Sequence, residues 1–361
     1  MKVALVHEFL NQIGGAERVL QNFFEIWPDA KVHLILYNKE KTRNEFEKYQ
    51  KKISWLNSFP LAQTHHRLLL LWMPSAIESF KFAEYDLVLS DSSSFAKGIK
   101  TDKLHICYMH TPTRFLWTES KYLDVQKYPR IFKAIGKMFV PLLRKWDYKA
   151  AQRPNYIITN SKNVQERIKK YYNRDSVVIP PPVDTQAFQP MGEKKDYFFT
   201  ASRLEPYKKV DVIVQAFNEL GLSLKIAGSG TEMETLKSQA KSNIEFLGVL
   251  SNEQLRRHYS EAQAYVFAAD EDAGITFLEA QSCGTPVIAY GKGGALEAIK
   301  EGVTGEFFAE QTKEAIIEKV RNFDATKFDR TTIRNHALQF DKNEFQRKIK
   351  QFVEEKYAHR N

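Results

Sequence analysis

The chain runs through one pattern twice. Short apolar runs, KVALVH (2–7), KVHLILY (31–37), YDLVLSD (85–91), LHICYMH (104–110), NYIITNS (155–161) and SVVIPPPV (176–183), alternate with helical stretches such as Ala16 to Trp27 and Asn163 to Tyr172. A second series follows: YFFTAS (197–202), SLKIAGS (223–229), NIEFLG (243–248), AYVFAA (264–269) and PVIAYG (286–291). Runs that are apolar at nearly every position fit strands buried on both faces, and the amphipathic helices between them supply the cover. Two α/β, doubly wound parallel sheets are therefore expected. Pro180 to Pro182, Pro190 and Gly192 interrupt between the series, because proline cannot continue a helix and stiffens a linker. The expected division is 1–188, 189–341 and a C-terminal helix in 342–361. The helix carries Phe345, Ile349, Phe352 and Val353 at the spacing of one packing face. It is expected to pack back on the first domain. Length agrees: 361 residues suit two domains better than one. Ligands of such sheets bind outside the carboxyl ends of the strands, so a ligand lodged between two of them meets loops from both.

Composition removes several classes. Hydrophobic residues at 43% and charged residues at 27% exclude a disordered chain or a collagen. Cys107 and Cys283 lie far apart with no Cys-x-x-Cys pair, which argues against a thiolate zinc site or a disulfide framework. His7 and Glu8 break the first apolar run, so it reads as a strand and not as a signal peptide. The longest apolar run elsewhere is Leu68 to Met73, against the ~18 to 20 residues a span requires. A cytoplasmic protein is expected, soluble or peripheral on the inner face of the plasma membrane. Charge is uneven: residues 1–192 carry 29 Lys and Arg against 18 Asp and Glu, and the remainder is net −2. A basic half attracts nucleic acid, an anionic membrane or a phosphorylated substrate. Ile131 to Trp146 mixes apolar residues with Lys133, Lys137, Arg144 and Lys145. It reads either as a core helix with a solvated face or as a surface resting on anionic lipid.

Four segments carry chemistry. Asn11 to Val19 opens a helix with Gly14 and Gly15 directly after the first strand; free N-terminal amides and the helix dipole favour a phosphate there. Ser202 to Asp211 places Arg203 and Lys208 just after the first strand of the second series, and a guanidinium fork with a lysine point charge suits a diphosphate. Glu271 and Glu279 bracket Asp272, Ala273, Gly274 and Ile275. With a helix starting near Gly274, both carboxylates can meet one ligand at different depths, and carboxylates accept well from sugar hydroxyls. The same residues also read as acids stabilised by a helix dipole. His110-Thr111-Pro112-Thr113-Arg114 follows the fourth strand at a crevice edge, without a cluster of metal-ligand spacing around His110.

Together these segments resemble the retaining glycosyltransferases of family 4, with the GT-B architecture of two Rossmann-like domains facing across a cleft. The resemblance covers nearly the whole chain. It rests on Glu271-x7-Glu279 followed by Cys283-Gly284-Thr285-Pro286-Val287-Ile288, and on Ser202-Arg203-Leu204 with Lys208 and Asp211. Gly14 to Arg18, with His110-Thr111-Pro112 and Arg114 to Trp117, looks like the branch of GDP-mannose-dependent mannosyltransferases of O-antigen and surface polysaccharide synthesis. The resemblance implies that Gly15 presents its amide to the donor diphosphate and that Arg203 and Lys208 neutralise it as it leaves. Glu279 then holds the ribose, Glu271 and the amides of Asp272 to Ile275 face the sugar, and His110 binds near the reacting carbon. Gly228 and Gly230 match the family's glycine turn beside the nucleotide. Where the family reads Glu-Gly-Phe-Gly-Leu-Pro, this chain has Glu271-Asp272-Ala273-Gly274-Ile275-Thr276. The departure adds a carboxylate and removes an aromatic wall where the sugar is read.

The expectation is retaining hexosyl transfer from a nucleotide sugar, GDP-mannose favoured, to a glycan or polyprenyl-diphosphate-linked acceptor. Arg203 and Lys208 stand where a metal would otherwise act, so no metal or other cofactor is expected. Partners are then the nucleotide sugar, the acceptor and an anionic membrane surface, with no nucleic acid. The rivals are a nonenzymatic sugar-nucleotide-binding scaffold and a basic nucleic-acid-binding protein. The latter lacks a recognition helix or aromatic RNA-binding strands.

Overall fold

The computed structural model describes residues 1–60, 62, 64–117 and 130–360, with Arg67 and 130–138 described by backbone alone. The chain divides into two compact units, Met1–Pro181 with Phe345–Asn361, and Pro182–Glu344. The division falls inside the Pro180 to Pro182 run.

Among the described residues the first unit holds seven strands: β1 (Val3–Leu10), β2 (Lys31–Tyr37), β3 (Lys51–Ile53), β4 (Leu87–Ser92), β5 (Leu104–Met109), β6 (Tyr156–Thr159) and β7 (Val177–Val178). They pair in parallel in the order β3-β2-β1-β4-β5-β6-β7. Along β1, Val3 and Leu5 join one core cluster, whereas Ala4 and Val6 join the other. This alternation explains why the run is apolar throughout: each face of the strand has its own helical cover. The Gly15–Ile26 helix covers the first face with Val19, Leu20, Phe23 and Phe24. The Lys342–Ala358 helix packs on the same face through Phe345, Ile349 and Val353, spaced four apart on one stripe.

The second unit holds β8 (Phe198–Ala201), β9 (Leu224–Ala227), β10 (Ile244–Gly248), β11 (Tyr265–Phe267), β12 (Val287–Tyr290) and β13 (Gly305–Phe308) among the described residues. Their order is β10-β9-β8-β11-β12-β13, again parallel. In each sheet, chain order reverses beside the first strand, between β1 and β4 and between β8 and β11. Loops leaving those carboxyl ends diverge and open a crevice, which is where doubly wound sheets hold ligands.

Candidate active site

In the second unit the reversal point gathers the charged residues. Arg203 and Lys208 lie in the turn leaving β8, and Glu271 in the loop leaving β11. Lys208 Nζ donates to Glu271 Oε1. Both side chains are mostly buried, at 15% and 20% exposure. The ammonium also lies 5.5 Å from the Tyr207 ring centroid and 5.4 Å from that of Phe267, where ring quadrupoles favour a cation. Lys209, in the left-handed region at φ 56°, makes the tight step from this turn into the Val210–Leu220 helix. Arg203 is exposed, with its guanidinium 5.9 Å from the Tyr207 ring.

Two glycines let a neighbouring loop close on this turn. Gly228, at φ +125°, follows β9, and a side chain there would run into the Ser202 carbonyl. A side chain at Gly230 would meet the Leu204 backbone. Only residues without Cβ allow two backbones so close. The Glu271 loop is pinned from a second side, because Gly294 N donates to Glu271 O at 2.7 Å and Glu271 bridges Gly293. Gly274, at φ +68°, caps the Ile275–Ser282 helix, with Asp272, Ala273 and Ile275 partly exposed around it. Glu279 sits in the helix's second turn, only 2% exposed, and its Oε2 accepts from the Tyr259 hydroxyl at 3.2 Å. A carboxylate so enclosed is held in one orientation rather than solvated.

In the first unit, His110 is one end of a buried network. Its Nε2 bonds Asp91 Oδ1 at the end of β4. Asp91 Oδ2 bonds His7 Nδ1 on β1 at 2.9 Å, and His7 and Asp91 are register partners across the strand pair. His7 Nε2 lies 3.9 Å from Glu17 Oε1, in the first turn of the helix that Gly14 caps. Gly15 begins that helix and is exposed. The Asp91 carboxylate raises the pKa of both imidazoles against the opposing pull of burial. The two rings in turn hold Asp91 below the usual aspartate range despite its burial. Beside them Glu8 accepts from Ser92 Oγ at 3.0 Å and from the amides of Ser94 at 2.7 Å and Ala96 at 3.0 Å, tying β1 to the loop after β4. Thr113, in the segment after His110, bonds Asp147, which pairs with the fully buried Lys97 at 2.6 Å. A buried ion pair of this kind fixes a loop even where it adds little net stability.

Sequence reasoning passed over His7, Glu8, Glu17 and Asp91. For His7 and Glu8 the signal was present: polar residues toward the carboxyl end of a run otherwise buried on both faces. Sequence reasoning also counted the absence of any Asp-x-Asp among its reasons to expect no metal, and this was wrong: Asp270 and Asp272 have that spacing on either side of Glu271. Asp270 pairs with Lys292 at 3.8 Å, and no group of acidic, His or Cys side chains among the described residues is arranged to hold a metal ion. Of the cationic stretch Ile131 to Trp146, the side chains up to Met138 lie outside the described residues. Of the rest, Leu142, Arg144 and Lys145 are exposed, whereas Trp146 is part-buried, packing 5.6 Å from Phe95 and donating to Glu78 at 2.8 Å. No helix among the described residues is long and apolar enough to cross a membrane.

Known proteins share both halves. Residues 13–187 match the sequence model of Glycosyltransferase Family 4, and residues 182–340 that of Glycosyl transferases group 1. A probable sucrose-phosphate synthase of Thermosipho melanesiensis is 26% identical over 48% of this chain and 49% of its own. A GDP-mannose-dependent alpha-(1-6)-phosphatidylinositol monomannoside mannosyltransferase of Mycolicibacterium smegmatis is 31% identical over 35% of this chain and 41% of its own. The chain thus spans less than half the length of these curated relatives. Among solved structures, Anabaena HepE in complex with UDP and glucose superposes with a TM-score of 0.74 at 18% identity, over 98% of this chain and 99% of that one. Sucrose-phosphate synthase from Thermosynechococcus elongatus gives 0.81 at 14%, over 99% and 100%. At such identities the likeness is one of fold. With the two overlapping sequence models together covering residues 13–340 and the doubly wound sheet repeated in each unit, the chain belongs to the glycosyltransferases, a Family 4 domain followed by a group 1 domain on the GT-B fold.

Proposed function

We propose that this glycosyltransferase moves a hexose, mannose from GDP-mannose, with retention at the anomeric carbon, onto a glycan or polyprenyl-diphosphate-linked acceptor of surface polysaccharide. The observation that carries the reading is the Lys208–Glu271 pair at the chain reversal of the second sheet, with Arg203 beside it and the Gly228–Gly230 turn closed against its backbone. Two cations at a strand end suit a diphosphate, and a carboxylate already bonded to one of them suits the sugar the diphosphate carries. In this reading Arg203 and Lys208 stabilise charge as the glycosidic bond to phosphate breaks. Such stabilisation acts on the transition state more than on the ground state. Glu279, oriented by Tyr259, accepts from the ribose hydroxyls. The Gly14–Gly15 turn offers amides to the phosphates, and His110 donates to the sugar from a ring oriented by Asp91. No side chain is placed as a nucleophile; the departing phosphate takes the acceptor proton on the same face, so catalysis is positioning and charge stabilisation. No divalent cation is required, and turnover should persist in EDTA.

The choice of base and sugar rests on the sequence resemblance and on the mannosyltransferase relative. HepE, solved with UDP and glucose, supports a second reading in which a uridine nucleotide is the donor carrier. A thermal-shift series of GDP-, UDP- and ADP-sugars separates the two. A ligand at a hundred times its Kd stabilises by about 2.7 kcal/mol, so GDP-mannose should raise the melting temperature most. A shift from UDP-glucose alone would replace guanosine by uridine. A shift without turnover on any acceptor would leave a binding scaffold.

A further inference from the structure

Six described residues between positions 53 and 72 of the first unit present an apolar surface that the other described residues leave uncovered. Ile53, Trp55, Phe59, Leu68, Leu71 and Trp72 are each between 39% and 55% exposed. They form a surface rather than scattered points: the Trp55 ring lies 5.6 Å from Phe59 and 6.3 Å from Trp72. Buried neighbours interleave with them, since Leu56, Ala62, Leu69 and Met73 enter the core cluster beneath. The exposed rings are therefore mounted on a packed base, and burial of their own area awaits a partner.

Charge identifies that partner. No Asp or Glu occurs between Glu47 and Glu78, a stretch that carries Lys48, Lys51, Lys52 and Arg67. Lys51 is occupied, donating to the carbonyls of Phe46 at 2.7 Å and Tyr49 at 2.8 Å. Lys48, Lys52 and His65 are exposed. Exposed tryptophans and lysines in one stretch of chain without carboxylates match the boundary between acyl chains and anionic headgroups, where an amphipathic ring and a cation both gain.

We propose that this aromatic surface docks the protein on an anionic lipid membrane. Register places it at the working end of the sheet: Ile53 pairs with Leu34, Leu34 with His7, and His7 with Asp91. Two strand spacings, about 10 Å, separate β3 from β1. On the reading that the acceptor is lipid-linked, docking here presents the acceptor headgroup to the strand ends that carry His110.

The test uses the full chain with phosphatidylcholine vesicles, with and without phosphatidylglycerol. The wild-type protein should co-sediment with the anionic vesicles at low salt, much less with the neutral ones, and lose binding as salt screens the headgroups. Trp55→Glu and Trp72→Glu should each weaken binding at least about tenfold, with Trp72→Gln as a milder companion, and an unchanged melting temperature shows that each variant folds. Wild-type protein that ignores anionic vesicles overturns the proposal. So does undiminished vesicle binding by the folded glutamate variants, or a dimer in solution that Trp72→Glu makes monomeric without any vesicle binding. Vesicle binding that persists in a protein with no affinity for any sugar nucleotide would leave docking standing and remove the proposed function.

Discussion

Asp91 accepts from two imidazoles at once, His110 through Oδ1 and His7 through Oδ2. The groups facing His110 are Asp91 on β4 and His7 and Glu8 on β1, with Asp91 dominating the upward shift of its pKa. If His110 works as a charged donor, activity is lost as pH rises through that raised value. Asp91→Asn removes the charge that raises it, so the alkaline limb of kcat/KM should move to lower pH. A variant that loses stability while keeping the wild-type limb would assign Asp91 to packing alone. In the second unit, Lys208 and Glu279 should separate in kinetics. Lys208→Ala should lower kcat at least ~10²-fold with a small effect on nucleotide affinity. Glu279→Ala should weaken GDP binding by about 1.5 to 3 kcal/mol, the worth of a charged hydrogen bond. Calorimetry with GDP beside initial rates reads both, and the reverse pattern would exchange their roles.

Elements explain what was legible. Eleven of the strands appear as apolar runs; nine of them do so because they are buried along most of their length, which leaves a signal independent of any homologue, whereas the edge strands β7 and β10 are largely half-exposed. The edge strands β3 (KKI) and β13 (GEFF) went unread: both are short, and polar residues on their exposed side interrupt the apolar signal. Candidate site residues were legible where they stand in a turn beside glycine or proline, as with Gly14, Gly228 and His110. Asp91 and Glu17 were not, because their meaning depends on His7, which only the β1–β4 register and the first helical turn bring beside them. The first sheet also stores an acid sensitivity. Burial lowers His33 on β2 to about 4 and His105 on β5 to about 3. Each is neutral in the folded chain, while the unfolded chain takes up protons near 6.5. Their stabilisation is complete above that value and is lost as pH falls toward the folded values. At pH 4.5 the two together should cost on the order of 5 kcal/mol. Denaturant titrations at pH 7 and 4.5 check this, and an equal midpoint at both would show that these imidazoles are not held neutral.

At the scale of the whole molecule, one topology is used twice, with a different polar cluster each time. Each unit has its charged residues where strand order reverses: His7, Asp91 and His110 in the first, Lys208 and Glu271 in the second. The excess of 11 positive charges in residues 1–192 against −2 in the remainder fits a division of labour. On this account the first unit meets an anionic surface and its acceptor and lends Gly14, Gly15 and His110 to the donor, whose nucleotide the second unit holds. Proton NMR of the product from GDP-mannose and a detergent-solubilised polyprenyl-diphosphate glycan, formed in EDTA, tests the central claim most directly. The account predicts GDP release matched by an α-mannosidic linkage, both abolished in Lys208→Ala. A β linkage, strict dependence on a divalent cation, or no nucleoside diphosphate released from any sugar nucleotide would contradict it.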